Sequence, residues 1–502
     1  ARPVAPPHGC RICTTLFREG LVPMKMSRRE LLSGAGAFRI VKQPGRTVSK
    51  TNVIFFLTDD HGAWAVGPWG CPEIHTPNLA RLAAGGARFQ RAYASTPVCS
   101  PSRMTYMTGK LPSAHGVCDA LMRQDVQGPQ RKRFLDGQLT YTELLARNGY
   151  TVGLSGKWHM GDDEHAHAGF TYWCTVPGGG GTYRDPEFIK NGATVKTKGY
   201  KTDLVGDFAL EFLEANKQRP FFLYVPFFAP HAPFDYQPDP YRNLYKDCPF
   251  SCFPEPPKHP QRRWSFEKLH GNRETKLAYS ALVSGMDHNV GRILARLEEL
   301  GLREDTLVVF SADQGWNAGH HGVWGKGNAT IPFNMYEESI RVPLIWNHPG
   351  KIRAGQVVSP LVSSYDFFPT ILDYLGISAP ADRQRVGRSY SAFLRGESPA
   401  WRKELFFEYC YVRAIRTENL KYVERADNWP SEMFDVEADA GESVNVIGDR
   451  AYGKQLAELR GRLRNVFEST GAPPLGQWRS TTRQTILIDS GYYDGWSERR
   501  PR

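Results

Sequence analysis

Short, unbroken apolar runs that end in polar clusters are the first regularity along this chain. Residues 52–60, NVIFFLTDD, hold an apolar stretch followed by two carboxylates. The same form recurs in YTVGLSGKWH (150–159), RPFFLYVPFFAPHAPF (219–234), TLVVFSADQG (306–315) and VPLIWNHPG (342–350). A run without apolar–polar alternation leaves no face for water, so each predicts a strand covered on both sides. Between them lie stretches of helical spacing. TPNLARLAAGGARF (76–89) carries Pro77 near its start and glycines at its end, and TKLAYSALVSGMDHNVGRILARLEELGL (275–302) is the longest amphipathic pattern. Strands alternating with helices predict an α/β fold with a large, mostly parallel sheet flanked by helices. From about Gly376 the character changes: residues 405–439 read as two or three shorter strands and 451–470 as a terminal amphipathic helix. The chain therefore divides into a leader (1–50), a large domain (51–375) and a smaller α+β domain (376–502).

Two stretches lack periodicity. Residues 235–272 are rich in proline, aromatic side chains, Lys and Arg, as befits a covering or binding loop. PGGGGTYRDPEF (177–188) reads as a flexible loop, and its glycines make only a weak phosphate cradle without a strand–helix context. No apolar run approaches the roughly 18 residues that span a bilayer.

Charge changes the picture less than its sum suggests. The formal net charge is +11, but residues 1–50 hold ten Lys and Arg against two acids, a net +8 that leaves +3 for the other 452 residues. A nucleic-acid-binding face is thereby excluded as the main reading. The leader contains SRRELL (27–32), which resembles a twin-arginine export signal with a truncated apolar stretch; a solvated basic leader fits equally. A working signal means a periplasmic or secreted protein, and otherwise a cytoplasmic one. Of the nine cysteines, Cys10 and Cys13 lack a second metal-binding pair. Cys248 and Cys252 flank a short loop, with free thiols favoured over a local bridge.

The chemistry gathers where the strands end. Asp59 and Asp60 follow one strand, Lys157 and His159 another, His231 a third, and Asp313 and Gln314 a fourth. Sites in open α/β sheets lie beyond the carboxyl ends of the strands, so these clusters are expected to share one rim. Three carboxylates and an amide oxygen form a hard, all-oxygen set suited to Ca²⁺ or Mg²⁺. Arg103, Lys157, His159, His231 and Lys326 add positive charge and acid–base groups. Such a site favours sulfuryl or phosphoryl transfer. Lys201, His320 and His321 are expected outside it, Lys201 solvated and the histidines structural. Trp158, Trp316 and Trp324 either stack on a sugar or wall the pocket.

One residue fits that chemistry poorly: a soft thiol, Cys99, stands beside Arg103 in PVCSPSRMTYMTG (97–109) with no nearby base in the sequence. Cys99-Ser100-Pro101-Ser102-Arg103 followed by Thr108-Gly109 resembles the signature of the type I sulfatase family in the alkaline-phosphatase-like superfamily. The resemblance spans roughly residues 51–470 and includes TPNLARLA, GKWH, PHAPF, SADQG and RVPLI. It implies that a formylglycine-generating maturation enzyme oxidises Cys99 to formylglycine before folding, and that the hydrated aldehyde replaces the thiol as nucleophile. It further implies one calcium ion held by Asp59, Asp60, Asp313, Gln314 and the modified residue 99. His231 is then the acid that protonates the departing alcohol, and His159 the base that releases sulfate. Lys157, Lys326 and Arg103 hold the sulfate and the diol. Gln314 stands where many members have Asn, and Lys110 where Arg is frequent. The expected activity is hydrolysis of sulfate monoesters, of a sulfated carbohydrate in preference to a small aryl ester. Phosphonate monoester or phosphodiester hydrolysis on the same scaffold is the near alternative, and non-catalytic binding of sulfated polysaccharide the alternative of another class.

Overall fold

The computed structural model describes residues 50–262, 269–426 and 428–477. The leader's SRRELL segment, Cys10 and Cys13 lie outside the described residues. A ten-stranded sheet organises the rest. In chain order its strands are β1 (Asn52–Thr58), β2 (Ala87–Phe89), β3 (Thr151–Gly156), β4 (Phe170–Thr175), β5 (Glu187–Lys190), β6 (Ala193–Lys196), β7 (Phe221–Pro226), β8 (Thr306–Ala312), β9 (Leu344–Asn347) and β10 (Gln356–Val358). Their spatial order is β10-β2-β9-β8-β1-β7-β3-β4-β5-β6. The central strands β8, β1, β7, β3 and β4 are parallel, in keeping with the expected mostly parallel sheet, although β4 was not read from the sequence. Both flanks turn antiparallel, at β8–β9–β2 and at β4–β5–β6.

β1 shows why an unbroken apolar run was needed. Ile54 and Phe56 enter one core with Leu79 of helix α1 (Pro77–Ala84) and Ala281 of the long helix Arg273–Glu299. Val53, Phe55 and Leu57 enter the other, against Tyr106 and Met107 of helix α2 (Cys99–Thr108). Both faces are dry, so every side chain of the strand is apolar or internally bonded.

The smaller sheet contains four antiparallel strands, β11 (Glu404–Tyr409), β12 (Val412–Thr417), β13 (Leu420–Arg425) and β14 (Glu432–Asp435). The terminal helix Gly453–Ser469 covers it with Leu459, Leu463 and Phe467. The same core takes in Val98 and Leu111, the residues flanking α2, so the smaller sheet buttresses the helix that begins at Cys99. No helix among the described residues is long and apolar enough to cross a membrane.

The cysteine expectation needs correction. Cys252 is bonded to Cys71, 181 residues away, and Cys248 is free. The tertiary fold brings that pair together, and local spacing around Cys252 carries no trace of it.

Candidate active site

Because β1, β3, β7 and β8 run parallel, the residues that follow them emerge at one rim. Helix α2 delivers position 99 to that rim. Val98 is extended, Pro101 occupies the first turn, where a missing N–H costs nothing, and Gly109 ends the helix at φ +70°. All ten residues of α2 are buried, so the fold holds it on every side. The Ser102 hydroxyl donates to the Asp313 carbonyl. The fully buried Arg103 guanidinium donates to Asp313 Oδ2 at 2.8 Å and to the Lys157 carbonyl at 2.6 Å, tying α2 to two strand ends.

Cys99 Sγ lies 3.3 Å from Asp59 Oδ1 and 2.8 Å from Lys326 Nζ, with Gln314 Nε2 at 3.6 Å. Lys157 Nζ meets Asp59 Oδ2 at 2.5 Å, and Lys326 Nζ meets Asp60 Oδ1 at 2.6 Å. His231 Nε2 stands 3.5 Å from Asp60 Oδ2. Every residue singled out in the sequence thus joins one cluster, save that His159 reaches it from the side, its Nε2 3.0 Å from the Leu121 carbonyl. Two of them, Asp60 (φ +61°) and His159 (φ +57°), hold left-handed backbone, uncommon outside glycine.

The electrostatics are uneven. Burial pushes the Asp59 carboxyl up, but Lys157, His231, Lys326 and Arg103 outweigh it and hold the group well below the usual range. For Asp60 burial prevails over Lys326 and His231, and the carboxyl is raised. Burial, reinforced by Asp59, drives Asp313 well above its ordinary value despite Arg103. Two of the three adjacent carboxyls are thus pressed toward protonation, chiefly by burial, and added positive charge would relieve that cost. Gln314 Nε2 stands 3.1 Å from Asp59 Oδ1 and 2.6 Å from Asp60 Oδ1, while its buried Oε1 has no hydrogen-bond partner. Half a turn of the amide exchanges the two atoms and completes an oxygen set. The donors therefore fit a hard divalent cation.

Position 99 is built to hold an anion. Burial and Asp59 oppose ionisation of the thiol, but Lys157, Lys326 and the His159 hydrogen bond prevail and bring it well below its normal range. The two histidines are tuned apart. Burial, then Lys157, lowers His159. Burial also acts to lower His231, yet Asp60 and Asp59 overcome it and raise the imidazole. Opposite shifts in neighbouring imidazoles suit one to accept a proton and the other to give one.

Some assignments change. Lys201 is not solvated: it is 1% exposed, bonded to the carbonyls of Gly180 and Gly181, with its ammonium 4.1 Å from the Phe228 ring centre. Its alternation-free neighbourhood, GYKTD, carried no signal of this. Trp158, Trp316 and Trp324 are each 2% exposed and wall the interior. Tyr279, read only as part of a helix pattern, donates to the Asp60 carbonyl at 2.9 Å.

A rim of acid and base groups around a buried cysteine on a parallel sheet fits an ester hydrolase of the alkaline-phosphatase-like superfamily. The chain belongs to the sulfatase family, whose profile it matches over residues 51–377, and it is a sulfuric ester hydrolase. Residues 319–469 match the C-terminal region of N-sulphoglucosamine sulphohydrolase. The chain is 30% identical over 496 residues to an N-acetylglucosamine-6-O-sulfatase of Bacteroides thetaiotaomicron, covering 82% of this chain and 85% of that one. It is 30% identical to a choline-sulfatase of Rhizobium meliloti, covering 80% and 83%. A structure solved with its substrate D-glucosamine-2-N,6-O-disulfate superimposes with a TM-score of 0.74 at 27% identity, over 85% of this chain and 99% of that one.

Proposed function

We propose that this sulfatase cleaves the sulfate monoester of a sulfated carbohydrate, using formylglycine at position 99 and one calcium ion. The observation that carries the reading is the position of Cys99, within 3.3 Å of an aspartate and 2.8 Å of a lysine at the rim where four strand ends meet. The likeness to an N-acetylglucosamine-6-O-sulfatase and to the glucosamine disulfate complex favours an amino sugar as the sulfated unit.

Asp59, Asp60, Asp313 and Gln314, with residue 99, would hold the cation. Bound there, calcium would supply a fixed double charge, and a hydrated aldehyde at position 99 would supply a hard oxygen nucleophile in place of sulfur. The rest belongs to the chain itself. Lys157 and Lys326 neutralise the sulfate, and Arg103 fixes Asp313 and the start of α2. His231 Nδ1 donates to the Ala232 carbonyl, which leaves Nε2 to protonate the departing alcohol oxygen. His159 Nε2 donates to the Leu121 carbonyl, so Nδ1, on the side of residue 99, is the basic nitrogen that takes a proton there. The Cys71–Cys252 bridge favours an oxidising compartment, in keeping with export by a maturation-competent bacterium.

Phosphonate monoester hydrolysis is a second reading, favoured by a 25% identical phosphonate monoester hydrolase of Silicibacter pomeroyi that superimposes at a TM-score of 0.66. Two measurements decide. Peptide mass spectrometry across residue 99, on protein from a competent host, should show a loss of about 18 Da relative to cysteine. Rates on glucosamine 6-sulfate against an aryl phosphonate should favour the sulfate; unmodified cysteine in active enzyme, or preference for the phosphonate, refutes the proposal.

A further inference from the structure

The glycine run after β4 was expected to be a flexible loop, and its surroundings contradict that. Asp163 Oδ2 accepts from the Gly178 N–H at 2.7 Å on one side. On the other, Lys201 Nζ donates to the Gly180 carbonyl at 3.0 Å and the Gly181 carbonyl at 2.7 Å. Both clamping side chains are buried, Asp163 fully, and Lys201 has no ion pair with a carboxylate among the described residues. Burying an unpaired ammonium is costly, and burial, with Lys157 adding to it, drives its pKa down to about 7. Such an arrangement persists only where the loop conformation matters. Gly178 and Gly179 are both left-handed, at φ +64° and +67°. A Cβ added at Gly179 would overlap the ring carbons of His159 and lie 2.9 Å from its Nδ1.

We infer that the loop 177–181, clamped by Asp163 and Lys201, is a positioning element for His159: the bare Gly179 backbone forms the wall that fixes the imidazole so that Nδ1 faces position 99. The inference deepens the proposed mechanism and rests on His159 acting there. Asp163 and Lys201 touch no reacting atom and work through the imidazole alone. Gly179 excludes any side chain from the space the ring needs.

A double-mutant cycle tests it. Gly179→Ala should lower kcat by about 100-fold with KM within about twofold, the size of a misplaced base. In a His159→Ala background the same change should cost less than twofold. Lys201→Met should follow the same pattern more weakly, and Lys201→Arg should recover most of the loss. A readout independent of turnover is the ring NMR signal of His159 in histidine-labelled, unmodified protein: Gly179→Ala should shift it and leave His231 in place. Equal losses in both backgrounds, an unmoved His159 signal, or an active Gly179→Ala enzyme each overturn the inference. Should Gly179→Ala fail to fold, the Lys201 cycle decides by the same criteria. If His159→Ala itself retains full activity, the proposed role of His159 has failed instead.

Discussion

Two of the clusters of buried charge among the described residues are built on different terms. Around Glu337, against Arg416 and Lys421 of the smaller sheet, each carboxylate has a cationic partner, although burial still raises Glu442 to about 7. Glu337 Oε2 accepts from the Tyr93 hydroxyl at 2.7 Å, and Oε1 meets Lys421 at 3.2 Å and Arg416 at 3.4 Å. Lys421 also pairs with Glu442 and donates to the Met335 carbonyl at 2.6 Å. At the strand-end rim the count does not close: Asp60 and Asp313 are pushed toward protonation and Gln314 Oε1 has no donor. A closed network positions elements, whereas an open one leaves room for charge that arrives with a cation and a substrate. Substitutions in the first should therefore act on stability, and in the second on turnover.

The largest effect falls on position 99. Cys99→Ala should abolish sulfate release, by about 10⁴-fold or more, while the thermal midpoint stays within a few degrees. Steady-state assays and calorimetry on the same samples check both halves. Retained turnover sinks the mechanism.

Next comes His231→Asn. The raised His231 imidazole keeps its proton above the pH at which an ordinary histidine loses it, so activity should fall only as pH climbs past that raised value; the lowered His159 stays basic below the ordinary imidazole value, which places the acid limb there. The variant should lose about 10²–10⁴-fold on alkyl sulfates and much less on aryl sulfates with good leaving groups, and its alkaline limb should vanish. An unchanged alkaline limb assigns the acid to another group.

Lys421→Met tests the closed cluster. Breaking a buried pair costs about 3–5 kcal/mol because the partner carboxylates stay behind. Denaturant unfolding should show that loss, with kcat per folded molecule unchanged within about twofold. A large drop in kcat at normal stability would mean the two clusters are coupled and the contrast is false.

How far the letters reached follows the same division. The parallel centre of the sheet was legible because burial on both faces demands unbroken apolar runs, as β1 and β7 show. Of its antiparallel flanks only β9 was read, in VPLIWNHPG; β5 and β6 escaped because they are short and one of them is largely exposed. β14 was hidden for a related reason, being only four residues long. Asp59, Asp60, Lys157, His159, His231 and Asp313 were legible because each follows a strand, whereas Arg103 lies within α2 and was read from the motif around Cys99. What remained hidden acts through the backbone or across the fold: the Leu121 carbonyl that sets the His159 tautomer, the Gly179 wall, and the Cys71 partner of Cys252. A lysine has the same letter whether solvated or clamped, so Lys201 could be assigned only from its contacts.

The smallest effect is the most discriminating, because it needs no turnover. If the rim lacks positive charge, calcium should stabilise the unmodified protein, by about 2.7 kcal/mol when present at 100 times its Kd. Asp313→Asn should erase that gain. It should cost the metal-free fold less than Lys421→Met does, since Asn resembles the neutral carboxyl toward which burial already drives Asp313. Lys421→Met should start from a lower midpoint and still gain the full increment, because it leaves the carboxylates of the strand-end rim untouched. Thermal unfolding with and without calcium on the three proteins reads this directly. An equal calcium response in wild type and Asp313→Asn would move the cation away from the strand-end rim, and the distinction between an open and a closed charge cluster would then rest on the orphaned Gln314 oxygen alone.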